Sequence, residues 1–446
     1  MRIVILGSGG REHALSYRLA MEHNVSQINV IPGNPGMMYS SDKIKSISIP
    51  IIKPEFHDLC SKMKELQIDL VIVGPEQPLA DGVSNALEKN GISVLGPSKD
   101  AARLESSKVF AKKFMKTVSI PTAKYEEFNN CEKALDALQL WDVENKGIVI
   151  KASSLAGGKG VVVTHSRSLA QKTIFDFLEN PECTVNTKEL ILEEMLHGKE
   201  VSAFGLLDGN NFIMLGYACD HKRLLDDDKG PNTGGMGCYS SHEWPSIDQR
   251  TFIEEQIIQQ TLIGMKEQGM PYKGFLFVGL MIDESKKNNN GIKVIEYNVR
   301  FGDPEAQTLL PLVLGRMSDA FLAAAKGELK ESHTPLALSS KSSIHIVMTS
   351  GGYPSIDGTP MSLGHQITYS KNLLPTRPLQ EKQLFFAGVK STETGLINTG
   401  GRVLGMTVLA DTLDNAKENA YLEIEKISFK DAFYRKDIGR GIHDYD

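Results

Sequence analysis

Cysteine is scarce and unpatterned. Cys60, Cys131, Cys183, Cys219 and Cys238 are odd in number, widely spaced and form no CxxC pair, which argues against a disulfide framework or a structural zinc site and for reduced thiols. Long apolar runs are also missing. Met1-Arg2-Ile3-Val4-Ile5-Leu6 enters a glycine turn too early for a signal peptide, and no stretch approaches a membrane span, so a cytoplasmic protein with no membrane partner is expected. Neither sign of charge dominates, with 49 basic against 55 acidic residues and a formal net charge of -6, which leaves no footprint for nucleic acid. A GxSxG elbow and a catalytic-cysteine motif are absent, giving covalent hydrolase chemistry little support. No internal repeat marks a solenoid. What remains is globular in character: 446 residues, 41% hydrophobic and 23% charged, enough for two to four domains with cores of their own.

Apolar runs at 3–6, 28–31, 70–73 and 92–95 each end in a turn rich in glycine or proline. Helical stretches follow at 11–19, 57–66 and 80–89, so residues 1 to about 100 read as an open parallel α/β sheet that binds ligands at the carboxyl ends of its strands. The pattern turns helical from Ser107 and breaks at Ile120-Pro121-Thr122. Strand-like runs follow at 148–151, 161–163, 190–193 and 275–278, and again at 344–348, 384–389 and 403–409 after about residue 328. A last helix is expected near 413–427.

Four segments can carry chemistry. Gly7-Ser8-Gly9-Gly10 lies between a strand and a helix, where free N–H groups and the helix dipole make an anion site, with phosphate as the expected guest and a tight turn as the bland alternative. Glu12 occupies the third glycine position of a dinucleotide fingerprint and no ribose-binding acid ends the second strand, which weakens a nicotinamide oxidoreductase reading. Ala156-Gly157-Gly158-Lys159-Gly160 with Lys151 suits a polyphosphate, yet it is no Walker A loop and equally describes a hairpin with a solvated lysine. Alternation in Glu296-Tyr297-Asn298-Val299-Arg300 puts Glu296, Asn298 and Arg300 on one face, offering hard oxygens to Mg²⁺ or Mn²⁺ and a cation to an anionic substrate, or else an ordinary exposed strand face. Residues 220–237 form a long polar, glycine-rich segment in which His221 reads as a solvated or locally hydrogen-bonded side chain and Asp226 to Asp228 as a charged turn.

The ordered set Gly7 to His13, Gly74-Pro75-Glu76-Gln77-Pro78-Leu79, Lys151-Ala152 with Gly157 to Gly160, Asp220-His221-Lys222-Arg223, Gly230 to Gly237 and Glu296 to Glu305 resembles the phosphoribosylamine-glycine ligase family of the ATP-grasp superfamily. Gly400-Gly401-Arg402-Val403-Leu404 and Tyr434-Arg435-Lys436-Asp437-Ile438-Gly439 extend the likeness to the C-terminal region. The resemblance implies a fold of α/β and α+β type: an N-terminal open parallel α/β (pre-ATP-grasp) domain over 1–104, an ATP-grasp core over 105–327 with a lid at about 122–195, and a C-terminal mixed α/β domain over 328–446. It implies ATP-driven joining of glycine to 5-phosphoribosylamine through glycyl phosphate, with Mg²⁺ or Mn²⁺ as cofactor and ATP as co-substrate.

By the same likeness Glu296 and Asn298 bind metal, and Arg300, Lys159 and Asp220 are catalytic. ATP meets Lys108, Lys151, Gly157, Gly158, Lys159, Gly160, Glu193, Glu194, Leu196 and Glu200. Phosphoribosylamine and glycine meet Gly9, Gly10, Glu76, Lys222, Arg223, Asn232 and Arg300. Many relatives carry a second metal carboxylate on the preceding strand, where Asp283 stands here. The expected partners are small molecules acting on a monomer. Another ATP-grasp ligase, or a nucleotide sensor without turnover, is the remaining alternative.

Overall fold

The computed structural model describes residues 1–446 apart from 54, 158, 287–290, 331–335, 356–357, 371–372, 374–380 and 441–446. Five parallel strands open the chain: β1 (Arg2–Gly7), β2 (Gln27–Pro32), β3 (Ile44–Ser46), β4 (Leu70–Val73) and β5 (Val94–Leu95), in the order β3-β2-β1-β4-β5. Ile3, Val4, Ile5 and Leu6 are wholly buried, as a parallel sheet covered on both faces requires. The expected helix at 80–89 is two helices, Glu76–Asp81 and Val83–Lys89, because Gly82 turns left-handed at φ +96° between them. Helix α1 (Gly10–Ala20) follows β1.

A four-stranded antiparallel sheet comes next, with β6 (Tyr125–Phe128), β7 (Ile148–Ala152), β8 (Val161–Thr164) and β9 (Leu190–Glu194) ordered β6-β9-β7-β8. Its apolar cluster is its own, drawn from residues between Cys131 and Leu192. The other two clusters each mix N-terminal, central and C-terminal residues, so Ile3, Phe204, Phe301 and Phe385 share one of them. A platform with a common core therefore carries a lobe with a separate one, the condition under which a lobe moves as a unit.

The platform is built on an eight-stranded sheet. It contains β10 (Lys199–Asp208), β11 (Phe212–Asp220), β14 (Gly237–Ser240), β15 (Lys273–Ile282) and β16 (Ile292–Asn298), and continues through Ser342–Thr349, Arg402–Ala410 and Lys382–Phe386. The strands after the expected boundary at 327/328 thus extend the central sheet through the pairing of Tyr239 with Ile344, rather than forming a sheet apart. The segment read as one long loop holds a two-stranded hairpin, β12 (Arg223–Leu225) and β13 (Lys229–Asn232). No helix among the described residues is long and apolar enough to cross a membrane.

Candidate active site

One cleft of about 1250 Å³ lies where the N-terminal sheet, the four-stranded lobe and the eight-stranded sheet meet. Glu76, Lys108, Lys151, Gly157, Gly160, Glu193, Glu194, Leu196, Glu200, Asp220, Lys222, Arg223, Asn232, Glu296, Asn298 and Arg300 all line it. Gly9, Gly10 and Lys159 do not, and Gly158 lies outside the described residues.

The glycine turn after β1 holds a carboxylate of its own chain. The Gly9 N–H donates to Glu12 Oε2 at 2.6 Å, and the Arg11 N–H reaches Asp303 Oδ2 at 3.3 Å. A Cβ on Gly7 would stand 2.5 Å from Glu12 Cδ, and one on Gly74 only 1.9 Å from Glu12 Oε1. The anion at this helix N-terminus is therefore the chain's own Glu12 carboxylate, which the dipole favours as it would a phosphate. Gly9 leaves room for it, while Gly10 leaves room for Gln307, whose Nε2 would stand 2.3 Å from a Cβ there. His13 is likewise structural: its Nδ1 accepts the Phe386 N–H at 2.9 Å, and burial pushes its pKa down to about 3.

On the lobe side, Lys151 Nζ sits 2.8 Å from Glu193 Oε2 and donates to Ile295 O at 3.0 Å. Glu193 Oε1 is 2.8 Å from Lys112 Nζ, so one buried carboxylate joins two ammonium groups, which hold its pKa below the usual range. Glu193, expected to meet ATP, lines the cleft with its carboxylate turned to these lysines. Lys112, which the sequence reading passed over, is pulled down to about 8 by burial. Its signal was only its i+4 spacing from Lys108 on the helix Lys108–Thr117. Lys159 is exposed on the β7–β8 loop, whose Gly157 turns left-handed at φ +55°.

On the floor, β16 alternates as expected. Tyr297 Oη points away to Thr261 Oγ1 at 2.8 Å, while Glu296 and Asn298 face the cleft with Asn298 Nδ2 3.4 Å from Glu296 Oε1. Against the cost of burial, Lys222, Lys108 and Lys151 hold Glu296 ionised, with a pKa lowered to about 2. Arg300 Nε–H donates to Glu76 Oε2 at 3.1 Å, NH2 lies 3.1 Å from Glu105 Oε1, and NH1 donates to Phe301 O at 3.2 Å. Asp283 does not join this group: it lies past the end of β15, its Oδ1 accepting from Ser285 N at 3.1 Å, whereas the residue paired with Glu296 is Gly279.

The far wall is mixed in charge. Lys222 Nζ is bonded to Glu200 Oε1, and Glu200, Glu296 and Asp220 together raise its pKa against burial. Burial and the Glu305 carboxylate push Asp220 well above the usual carboxylate range, and Glu305 also rises by burial. Arg223 NH1 donates to Gly230 O at 2.9 Å; no carboxylate pairs with this guanidinium among the described residues. Arg402 enters from the C-terminal region, NH1 donating to Gly234 O and Asp303 O at 2.5 Å each. The sequence reading gave it no role, because the contact crosses 168 positions.

Hard oxygens at Glu296 and Asn298, with three ammonium groups around them, fit a divalent cation that shares its other ligands with phosphate oxygens and water. No cluster of three or more His, Cys, Asp or Glu able to hold a metal occurs among the described residues.

Comparison with known proteins matches residues 1–105, 106–306 and 343–441 to the N, ATP-grasp (A) and C domains of phosphoribosylglycinamide synthetase. The phosphoribosylamine-glycine ligase of Chlorobaculum tepidum is 38% identical over 98% of this chain and 99% of that protein. The trifunctional purine biosynthetic protein adenosine-3 of Homo sapiens is 38% identical over 98% of this chain, which spans 42% of that protein. The crystal structure of phosphoribosylamine-glycine ligase from Thermotoga maritima matches with a TM-score of 0.80 and 31% identity, covering 98% of this chain and 100% of the other. A biotin carboxylase domain from Hydrogenobacter thermophilus, at 16% identity and a TM-score of 0.69, shares the fold.

Proposed function

The chain belongs to the phosphoribosylglycinamide synthetase family, and from that premise we propose that the cleft joins glycine to 5-phosphoribosylamine at the expense of ATP, a step of purine biosynthesis. A carboxylate acylates an amine only once its oxygen has become a leaving group. A glycine carboxylate oxygen attacks the γ-phosphorus of ATP, the bond to the β-phosphate oxygen breaks, and ADP leaves. The amine nitrogen of phosphoribosylamine then attacks the carbonyl carbon of glycyl phosphate, phosphate departs with that glycine oxygen, and the amine loses one proton. Such transfers need alignment and charge neutralisation rather than a protein nucleophile, which accords with the missing nucleophile motifs.

The observation that carries this reading is that Lys108, Lys151 and Lys222 line one cleft with Glu296 and hold its carboxylate ionised. Lys108 and Lys151 neutralise the triphosphate, while Glu194, Leu196 and Glu200 take the nucleoside end. A divalent cation, Mg²⁺ or Mn²⁺, held by Glu296 and Asn298 supplies further neutralisation at the phosphates when bound. Lys222, Arg223 and Asn232 face the phosphoribosylamine side, and Arg300, braced by Glu76 and Glu105, directs its charge at the reacting groups. Asp220, with its raised proton affinity, suits the group that takes the proton lost by the amine. The lobe at about 122–195 closes over the acyl phosphate and keeps water out, carrying Lys159 inward with the β7–β8 loop. We place the reaction in the cytoplasm and on a monomer.

Oxygen tracing tests the intermediate. With glycine labelled by ¹⁸O in its carboxylate, the released phosphate carries one labelled oxygen. Unlabelled phosphate would rule out glycyl phosphate.

A further inference from the structure

The segment Arg435 to Asp437 has no place in the chemistry above, yet Arg435 is 1% exposed and among the largest fully buried side chains. Its guanidinium makes a fork with Asp437, Nε to Oδ1 and NH2 to Oδ2 at 2.7 Å each. The remaining nitrogen, NH1, reaches both ends of the β12–β13 hairpin's first half: Arg223 O at 3.0 Å and Asp228 Oδ1 at 2.8 Å. Two backbone contacts complete the grip. Asp227 N–H donates to Asp437 Oδ2 at 2.9 Å, and Lys436 N–H donates to Asp226 Oδ1 at 2.8 Å. The Arg435 carbonyl is itself held by Tyr421 Oη at 3.0 Å from the helix Leu413–Ile424.

The hairpin needs such a hold. A two-stranded ribbon is marginally stable by itself, and this one has only two paired positions, Arg223 with Asn232 and Leu225 with Lys229, with none of its strand residues fully buried. Its turn also places Asp227 and Asp228 at φ +57° and +50°, a left-handed conformation that aspartate tolerates but does not prefer. Arg435 and Asp437 satisfy the side chain or backbone of each turn residue in that conformation.

We propose that Arg435 is a positioning residue for the ligase reaction: from outside the cleft it fixes the β12–β13 hairpin, and so sets Arg223 and Asn232 against the phosphoribosylamine substrate. Arg435 touches no reacting group. It acts through the carbonyl of Arg223, the residue whose side chain faces the cleft without a carboxylate partner among the described residues. Lys108 and Lys151, the lysines assigned to the triphosphate, stand on other elements than the hairpin, so the effect falls first on phosphoribosylamine. The naming of the substrate rests on the proposed function; the mechanical claim does not.

Two variants test it, Arg435→Met and Asp228→Ala, the second at a half-exposed side chain whose loss leaves the core intact. Hydrogen exchange on the full chain without substrates is expected to speed up about tenfold at the amides of 223–232 in both variants, the factor that corresponds to about 1.4 kcal/mol, with exchange elsewhere unchanged in Asp228→Ala. In steady state the KM for phosphoribosylamine rises by a similar factor in Asp228→Ala while the KM for ATP stays within twofold. Unchanged exchange at 223–232 in Asp228→Ala, or equal increases in KM for all three substrates, overturns the proposal. Should the wild-type protein form no amide at all, the ligase reading fails and exchange alone decides the positioning claim.

Discussion

Arg300 Nε lies 3.1 Å from Glu76 Oε2, joining residues 224 positions apart across the mouth of the cleft. The contact ties the end of β16 to the first turn of the helix that follows β4, so the N-terminal sheet and the ATP-grasp floor share one guanidinium. Glu105 takes the same guanidinium from beneath at 3.1 Å.

A lysine can hold the charge of Arg300 but not its fork. Arg300→Lys is expected to keep the fold, because the buried Glu105 retains a cation, and to lower kcat by about 10²- to 10³-fold, the cost of losing a placed electrostatic donor. Steady-state kinetics beside thermal melting separates the two effects. A variant with wild-type kcat would show that the fork is only structural.

Lys112, through Glu193 and Lys151, is expected to make nucleotide binding sensitive to pH. Its pKa is lowered to about 8, so as pH rises through 8 it loses its proton and the Lys112, Glu193 and Lys151 group passes from net +1 to neutral. The KM for ATP is expected to rise above pH 8, and Lys112→Met to remove that transition. Stability moves the other way: between pH 8 and the ordinary lysine value of 10.5 the unfolded chain binds more protons, so this residue's burial penalty falls as pH rises. Parallel pH profiles of KM and melting temperature check both signs.

Glu12 fills the glycine turn, and Gly74 has no room for a methyl group beside it. Gly74→Ala is expected to cost about 1–3 kcal/mol, as overpacking does. Denaturant melts of Gly74→Ala and of Gly157→Ala, where nothing lies within 4 Å of the added Cβ, provide the comparison. Gly157 carries only the strain of its positive φ.

Removal of divalent cations is expected to abolish ADP formation, with Mg²⁺ or Mn²⁺ restoring it. Glu296→Gln, which removes one hard anionic ligand and leaves the shape, is expected to raise the metal concentration needed for half-maximal activity by at least about tenfold. Titration of activity with each metal checks this.

Much of this arrangement is legible in the sequence where the signal is local. The buried runs of β1, β2 and β4 stand out because a sheet covered on both faces needs unbroken apolar residues. Strict alternation places Glu296 and Asn298 on one face. Strands β10 and β11 are less visible, since glycine, serine and aspartate interrupt an otherwise apolar run. Contacts between distant positions are invisible. Glu12 fits the glycine turn only because Gly74 comes beside it from another strand, and Lys112 reads as an ordinary helix lysine until Glu193 meets it. The C-terminal strands join the central sheet through Tyr239 and Ile344, a pairing no local pattern encodes.

Amide formation from glycine and phosphoribosylamine in this cleft is read out by ADP release. The assay contains ATP, Mg²⁺, glycine and freshly generated phosphoribosylamine, omits each in turn, and identifies the product by mass spectrometry, with Glu296→Gln as control. Full turnover that needs every component and yields glycinamide ribonucleotide, and that collapses in the control, is the predicted result. ADP release that continues unchanged without glycine would contradict it.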